Sequence, residues 1–400
     1  MRSSPSPGGD GVSDYTLLVV DDSEDNRYTL TRRLAREGYT RVVTASDGRQ
    51  ALALLRAQPV DLVLLDIMMP ELNGYEVLER LKADERLRHV PVIMISAVDA
   101  IESVVRCIEL GAEDYLSKPF NPTLLRARVG ASLEKKRLRD QIVAHLGRIE
   151  HELATAREIQ LSMVPTEFPA PTADRPLEIY ATLQPARQVG GDLYDFFWSD
   201  PQTLCFVIAD VSDKGAAAAL FMARTKTLIR LVATMLRTAA GGAPGPEAII
   251  TRVNEELCRD NPLGMFVTLF FGMLDLVSGE LHFVNAGHTV PYVVAPGRVV
   301  PLHGARAKPV GIRPTLTYAP TTTKLAPDEC LFLFTDGITE SMNEAGGFFL
   351  EERLERALES LAGQAPRAIV EAVLGAVREF RAAAPQSDDI AALAIRRVTW

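Results

Sequence analysis

Asp21 and Asp22 follow the apolar run Thr16-Leu17-Leu18-Val19-Val20, and Asp66 closes the run that begins at Val60. Ser96 and Lys118 end two more short runs. Further along, Asp192, Asp210, Asp336 and Asp388 stand at the ends of apolar segments, and Asp389 is adjacent to the last of them. Carboxylates that share one place repel each other unless cations neutralise them. An oxygen-only donor set selects hard ions, Mg²⁺ or Mn²⁺ rather than zinc. Gly190, Gly191 and Gly337 lie beside these aspartates and allow the backbone to approach an ion closely. Cys107, Cys205, Cys258 and Cys330 form no CxxC pair, so neither a disulfide framework nor a zinc knuckle is indicated.

The elements that must position these residues differ between the two halves. The first half reads as strands at 16–20, 41–45, 60–65, 91–95 and 113–116. Helices alternate with them at 26–37, 48–57, 74–82 and 100–110. Such alternation implies a parallel sheet covered on both faces, with functional groups at the carboxyl ends of its strands. A helix then runs to 163. Ile142, Leu146, Ile149, Leu153 and Ala156 alternate by four and three along it, the seam of a dimeric coiled coil; an amphipathic helix packed on one domain is the alternative. Pro165, Pro169, Pro171 and Pro176 end it. Beyond them come strands at 177–184, 192–198, 203–211, 265–276, 279–285, 290–295 and 329–335, with helices at 215–238, 246–259, 351–362 and 366–381. Runs of strands separated by long helices suggest an α+β layered domain.

The chain's 400 residues suit two domains and a connector. The expected division is a disordered tail at 1–14, a domain at 15–130, a linker helix at 123–163 and a second domain at 164–400. A net charge of −9 is a poor match to nucleic-acid phosphates and a better one to divalent cations. The Ser/Pro/Gly-rich N-terminus lacks a signal-peptide core and no apolar run suits a bilayer, so a cytoplasmic location with no membrane partner is expected.

Four motifs occur in order at strand ends: Val19-Val20-Asp21-Asp22, Leu65-Asp66-Ile67-Met68-Met69-Pro70, Ser96-Ala97 and Ser117-Lys118-Pro119-Phe120. In them the chain resembles the response regulator receiver family. The resemblance implies a flavodoxin-like, doubly wound α/β fold with five parallel strands. It makes Asp66 the acceptor of a phosphoryl group from a sensor histidine kinase. Asp21, Asp22, Asp66 and Met68 would hold Mg²⁺, which prefers oxygen ligands. Lys118 supplies a positive charge, Ser96 a hydroxyl that moves toward the phosphate, and Tyr115 the aromatic that turns inward. Singly, each residue has a plainer reading as a loop cap or a surface group.

The second half carries Ala156-Arg157-Glu158-Ile159-Gln160, Val189-Gly190-Gly191-Asp192-Leu193-Tyr194-Asp195 and Ala209-Asp210-Val211-Ser212-Asp213-Lys214-Gly215. It continues with Asn285-Ala286-Gly287-His288, Phe334-Thr335-Asp336-Gly337-Ile338-Thr339-Glu340 and Ser387-Asp388-Asp389-Ile390. It is similar to the metal-dependent type 2C (PPM) phosphatases, in the bacterial branch named after SpoIIE. That resemblance implies a β-sandwich flanked by helices and two Mn²⁺ or Mg²⁺ ions. Asp210 would bridge them, with the Val211 carbonyl as a further ligand and Asp192 in support. Asp336 and Asp388 would hold the other side, with Asp389 a candidate because the register of the pair is open. Two such ions activate a shared water for in-line attack on phosphorus. Arg187 stands where the family carries a phosphate-contacting arginine, with a surface salt bridge as the alternative. His288 reads as a structural residue turning a loop. Asp213 and Gln188 replace the usual Gly and Glu; an Asp tolerates positive φ at modest cost, or its carboxylate joins the metal site.

The implied substrate is a phosphoserine or phosphothreonine on a STAS-type anti-anti-sigma protein in a partner-switching system. The competing expectation is a non-catalytic scaffold that binds partners through both domains.

Overall fold

The computed structural model describes residues 14–97, 101–240 and 244–398. The tail expected at 1–14 lies outside them except for Asp14. The chain divides into two compact units, Met1–Ile149 and Glu150–Trp400.

In the first unit, five strands and five helices alternate: β1 (Thr16–Val20), α1 (Glu24–Arg36), β2 (Arg41–Ala45), α2 (Gly48–Ala57), β3 (Leu62–Asp66), α3 (Gly74–Ala83), β4 (Val92–Ser96), α4 (Ile101–Glu109), β5 (Asp114–Ser117) and α5 (Pro122–Met163). The sheet is parallel, in the order β2-β1-β3-β4-β5. Strands β3 and β4 are buried along their whole length because helices cover both faces. Side-chain caps fix where helices start: Ser23 accepts from the Asn26 amide, and Asn73 and Glu76 form a capping box. Leu125, Val129 and Leu133, four residues apart on one face of α5, enter the core beside Leu17, Val19, Leu30 and Leu34. Farther along, every residue of α5 from 141 to 152 is exposed, including Ile142, Leu146 and Ile149.

The second unit contains β6 (Leu177–Gln184), β7 (Leu193–Trp198), β8 (Thr203–Val211), α6 (Ala216–Ala240), α7 (Pro246–Cys258), β9 (Val267–Asp275), β10 (Glu280–Ala286), β11 (Tyr292–Ala295), β12 (Arg298–Pro301), β13 (Thr321–Lys324), β14 (Cys330–Phe334), α8 (Asp336–Thr339), α9 (Leu350–Glu359), α10 (Pro366–Arg381) and β15 (Ile390–Arg397). Two antiparallel sheets form, β13-β10-β9-β8-β7 and β12-β11-β14-β15-β6. Alternation along β14 and β15 makes the sandwich. Leu331, Leu333, Leu393 and Ile395 join the core that also holds Phe206 and Phe270, while Phe332, Phe334, Ala392 and Ala394 pack with α9 and α10 residues such as Leu354 and Val373. No described helix is long and apolar enough to cross a membrane.

Most elements lie within about two residues of the ranges expected from the sequence, the usual fraying of helix and strand ends. The exceptions are β12, β13, α8 and β15. The last matters most, because β15 sits between β14 and β6 and begins beside Asp388 and Asp389. Its Ile-Ala-Ala-Leu-Ala-Ile run is rich in alanine and lacks period-two polarity, so nothing local marks it as a strand.

Candidate functional sites

In the first unit the strand ends bring three carboxylates together. Asp21 follows β1 and Asp66 ends β3, both buried, and Asp22 is exposed. One oxygen from each of Asp21, Asp22 and Asp66 lies within 4.8 Å of the others. Lys118 Nζ bridges Asp21 at 2.8 Å and Asp66 at 2.9 Å. The Ser23 amide and the Asn26 side chain hold Asp21 Oδ1 at 2.9 and 3.0 Å. Burial pushes the Asp66 carboxyl above its ordinary range, Lys118 opposes this, and Asp21 and Asp22 add to it. Ser96 is buried at the end of β4, and Tyr115 on β5 packs half-buried against the core. Met68 points its side chain to solvent. Gly74 is required where α3 starts: a Cβ there would stand 2.2 Å from the Asp66 carbonyl. Three carboxylates against one lysine leave anionic charge that suits Mg²⁺.

In the second unit Asp192 precedes β7, Asp210 lies near the end of β8, and Asp336 opens α8. Asp192 is buried, and Asp210, Asp336 and Asp388 are partly so. Burial, then Asp210, pushes the Asp192 carboxyl well above its ordinary range, against the Thr335 hydroxyl. Burial, then Asp336 and Asp388, pushes Asp210 to about 7, and a hydrogen bond with Asp192 opposes the rise. Asp336 is raised by burial, Glu340 and Asp388. Among the described residues, no ion pair involves Asp192, Asp210 or Asp336, whereas Lys214 Nζ pairs with Asp388 Oδ2 at 2.8 Å. Buried or part-buried carboxylates raised by burial and by nearby acids have the chemistry of divalent-ion ligands, which take oxygen donors.

Residues 17–130 match the response regulator receiver domain family, and residues 200–398 match the family of stage II sporulation protein E (SpoIIE). The chain is a response regulator receiver joined to a SpoIIE-type PP2C phosphatase domain. The SiaA PP2C domain of Pseudomonas aeruginosa has the fold of the second unit, with a TM-score of 0.54 and 23% identity over 63% of this chain and 98% of that one. A Vibrio cholerae protein named "Probable cyclic di-GMP phosphodiesterase" is 40% identical over 36% of this chain and 32% of its own length. Protein IcfG of Synechocystis sp. is 30% identical over 52% of this chain and 35% of its own length. The chain thus spans about a third of these two curated relatives.

Within the phosphatase domain, Asp388 and Asp389 have different surroundings. Asp389 Oδ1 accepts the Ala186 amide at 2.8 Å and its Oδ2 accepts the Gly191 amide at 2.7 Å. Asp389 therefore clamps the loop before Asp192, while Asp388 pairs with Lys214; both acids raise Asp210, and Asp389 also raises Asp192. A Cβ on Gly190 would meet Asp389 Oδ2 at 2.1 Å, and one on Gly337 would meet the Asp389 carbonyl at 1.8 Å. Gly191 lies against the Val211 carbonyl, where a Cβ would approach to 2.9 Å. Arg187 is exposed on this loop and forms no ion pair among the described residues; its carbonyl accepts from Arg157 at 3.1 Å. Asp213 adopts positive φ, at 77°, and its Oδ1 takes the Lys214 amide at 2.8 Å.

Two contributors carried no role in the sequence reading. Gln160, buried near the end of α5, holds Gly190 by both backbone groups, its Nε2 on the carbonyl at 2.6 Å and its Oε1 on the amide at 3.1 Å. Thr335 donates to Asp192 Oδ2 at 2.7 Å and accepts the Ala391 amide at 2.9 Å. It precedes α8 without capping it, because its hydroxyl is committed elsewhere. Both residues lie inside recognised motifs, but a glutamine or threonine beside a motif acid carries no local mark of its bonding partner.

Proposed function

We propose that this protein is a two-component response regulator whose output is a metal-dependent phosphoserine/phosphothreonine protein phosphatase, gated by phosphorylation of Asp66. The observation that carries the reading is the burial of Asp192 and part-burial of Asp210 and Asp336, each raised by burial and by neighbouring carboxylates, without an ion pair to any of them among the described residues. Asp210, Asp192, Asp336, Asp388 and the Val211 carbonyl would hold two Mn²⁺ or Mg²⁺ ions. When bound, these supply an activated water and neutralise the phosphoryl oxygens. The chain's own residues do the positioning. Thr335 orients the Asp192 carboxylate, Asp389 and Gln160 hold its loop from two sides, and Arg187 projects from that loop toward the substrate phosphate.

In the receiver, a carboxylate oxygen of Asp66 attacks the phosphorus of a phosphohistidine, and the P–N bond breaks as the O–P bond forms. Lys118 offsets the incoming charge, and Mg²⁺ held by Asp21, Asp22, Asp66 and the Met68 backbone carbonyl would offset the rest. Ser96 and Tyr115 then carry the change to the receiver surface. The exposed stripe Ile142, Leu146, Ile149 on α5 supports a homodimer through this helix. By resemblance to the SpoIIE branch, the substrate is a phosphorylated STAS-type protein in partner switching.

Hydrolysis of a chromogenic phosphate ester with Mn²⁺ tests the chemistry, with Asp210→Asn as the control. Equal rates for the two would overturn the reading. Phosphorylated STAS proteins, assayed with and without a small phosphodonor for Asp66, test substrate and gating.

A further inference from the structure

His288 lies between a strand of each sheet, beside Thr268 of β9 on one side and Phe334 of β14 on the other. Its backbone amide donates to Asn285 Oδ1 at 2.8 Å, and Gly287 before it takes φ of 74°, so the loop after β10 is tightly turned. The imidazole is buried, and its Nδ1 stands 3.0 Å from Thr268 Oγ1. Thr268 pairs with Asp210 across β8 and β9, and its hydroxyl reaches the Asp210 carbonyl at 3.4 Å. On the other side, the next residue, Thr289, donates its hydroxyl to the Phe334 carbonyl, which also lies near the His288 ring. Phe334 ends β14, and Thr335 and Asp336 follow it. One short loop thus contacts the strand neighbouring Asp210 and the strand that launches Asp336.

A neutral ring in this place is well suited to fixing distance. It is rigid, and it stands between the Thr268 hydroxyl and the Phe334 backbone, on two sheets that have no strand pairing with each other. The backbone of Phe334 is the polar group beside the ring on the side away from Thr268.

We propose that His288 is a positioning residue for the phosphatase reaction: through Thr268 on one side and the end of β14 on the other, it sets the separation of Asp210 and Asp336, the residues that would hold the ions. This rests on the reading of those aspartates as metal ligands. Groups of this kind, one shell behind the ligands, change metal affinity by roughly 10- to 100-fold when removed.

The test uses the full chain and Mn²⁺ alone, followed by calorimetry and by electron paramagnetic resonance, in which two neighbouring Mn²⁺ ions give an exchange-coupled signal. His288→Ala is expected to weaken Mn²⁺ binding by at least about tenfold and to replace the coupled signal by that of isolated ions. Thr268→Val, which removes one hydroxyl at nearly constant volume, should act in the same direction. His288→Asn, which keeps a polar group facing Thr268, should recover most of the affinity. If His288→Ala and Thr268→Val bind Mn²⁺ as the parent does, with the coupled signal intact, the ring is only packing and the proposal fails. If Asp210→Asn also binds Mn²⁺ like the parent, the ligand reading fails first and takes this proposal with it.

Discussion

Asp389 Oδ2 accepts the Gly191 amide at 2.7 Å across 198 residues of chain. That contact splits the adjacent acids into a clamp and a candidate ligand. Asp389→Ala leaves the Ala186 and Gly191 amides without their acceptor, and an unsatisfied buried group costs about 1–3 kcal/mol. The expected result is a lower melting temperature of the phosphatase domain. Asp388→Ala removes a half-exposed carboxylate and should leave melting nearly unchanged while weakening Mn²⁺ binding. Calorimetric melting and Mn²⁺ titration of both variants check this; equal loss of stability in the two would refute the division.

Gln160 makes two hydrogen bonds to Gly190. Gln160→Ala should release that loop, so amide exchange across residues 186–191 rises while exchange in the receiver stays as it was. Hydrogen exchange read by mass spectrometry measures it, and an unchanged pattern at 186–191 would remove Gln160 from the positioning scheme.

Stability without metal should fall as pH rises. Asp210 has an ordinary value of 3.8 and is raised to about 7 in the fold, and Asp192 and Asp336 move in the same direction. The folded state then binds more protons than the unfolded one between these values. The contribution is complete below the unfolded pKa and is lost as pH climbs through the folded one. Thermal melts of chelator-treated protein from pH 5 to 8 should show declining midpoints, and Mn²⁺ should raise the midpoint more at pH 8 than at pH 5. A midpoint that rises over this range in metal-free protein would contradict the electrostatics.

Asp66→Asn should abolish uptake of a phosphoryl group from a small phosphodonor, read by intact-protein mass. Because burial raises the Asp66 pKa, its ionised form is the costly one, and the variant should melt no lower than the parent without Mg²⁺. Retained phosphorylation of the variant would move the acceptor to another carboxylate.

The sequence alone determined the two-part organisation, the parallel and layered sheet classes, and the aspartates worth watching. Those properties are local: apolar runs set the strands, and an acid directly after such a run must sit at a strand end. Tertiary structure decided which acid of the Asp388-Asp389 pair takes the amides of residues 186 and 191, because those amides arrive from 203 and 198 residues away in the chain. It also decided the parts played by Gln160, Thr335 and Thr268, whose bonding partners are fixed only when distant backbone groups and carboxylates are folded against them. Hydrogen-bond partners distant in the chain leave no period in the sequence, and β15, an alanine-rich strand defined by its two neighbours, was hidden for the same reason.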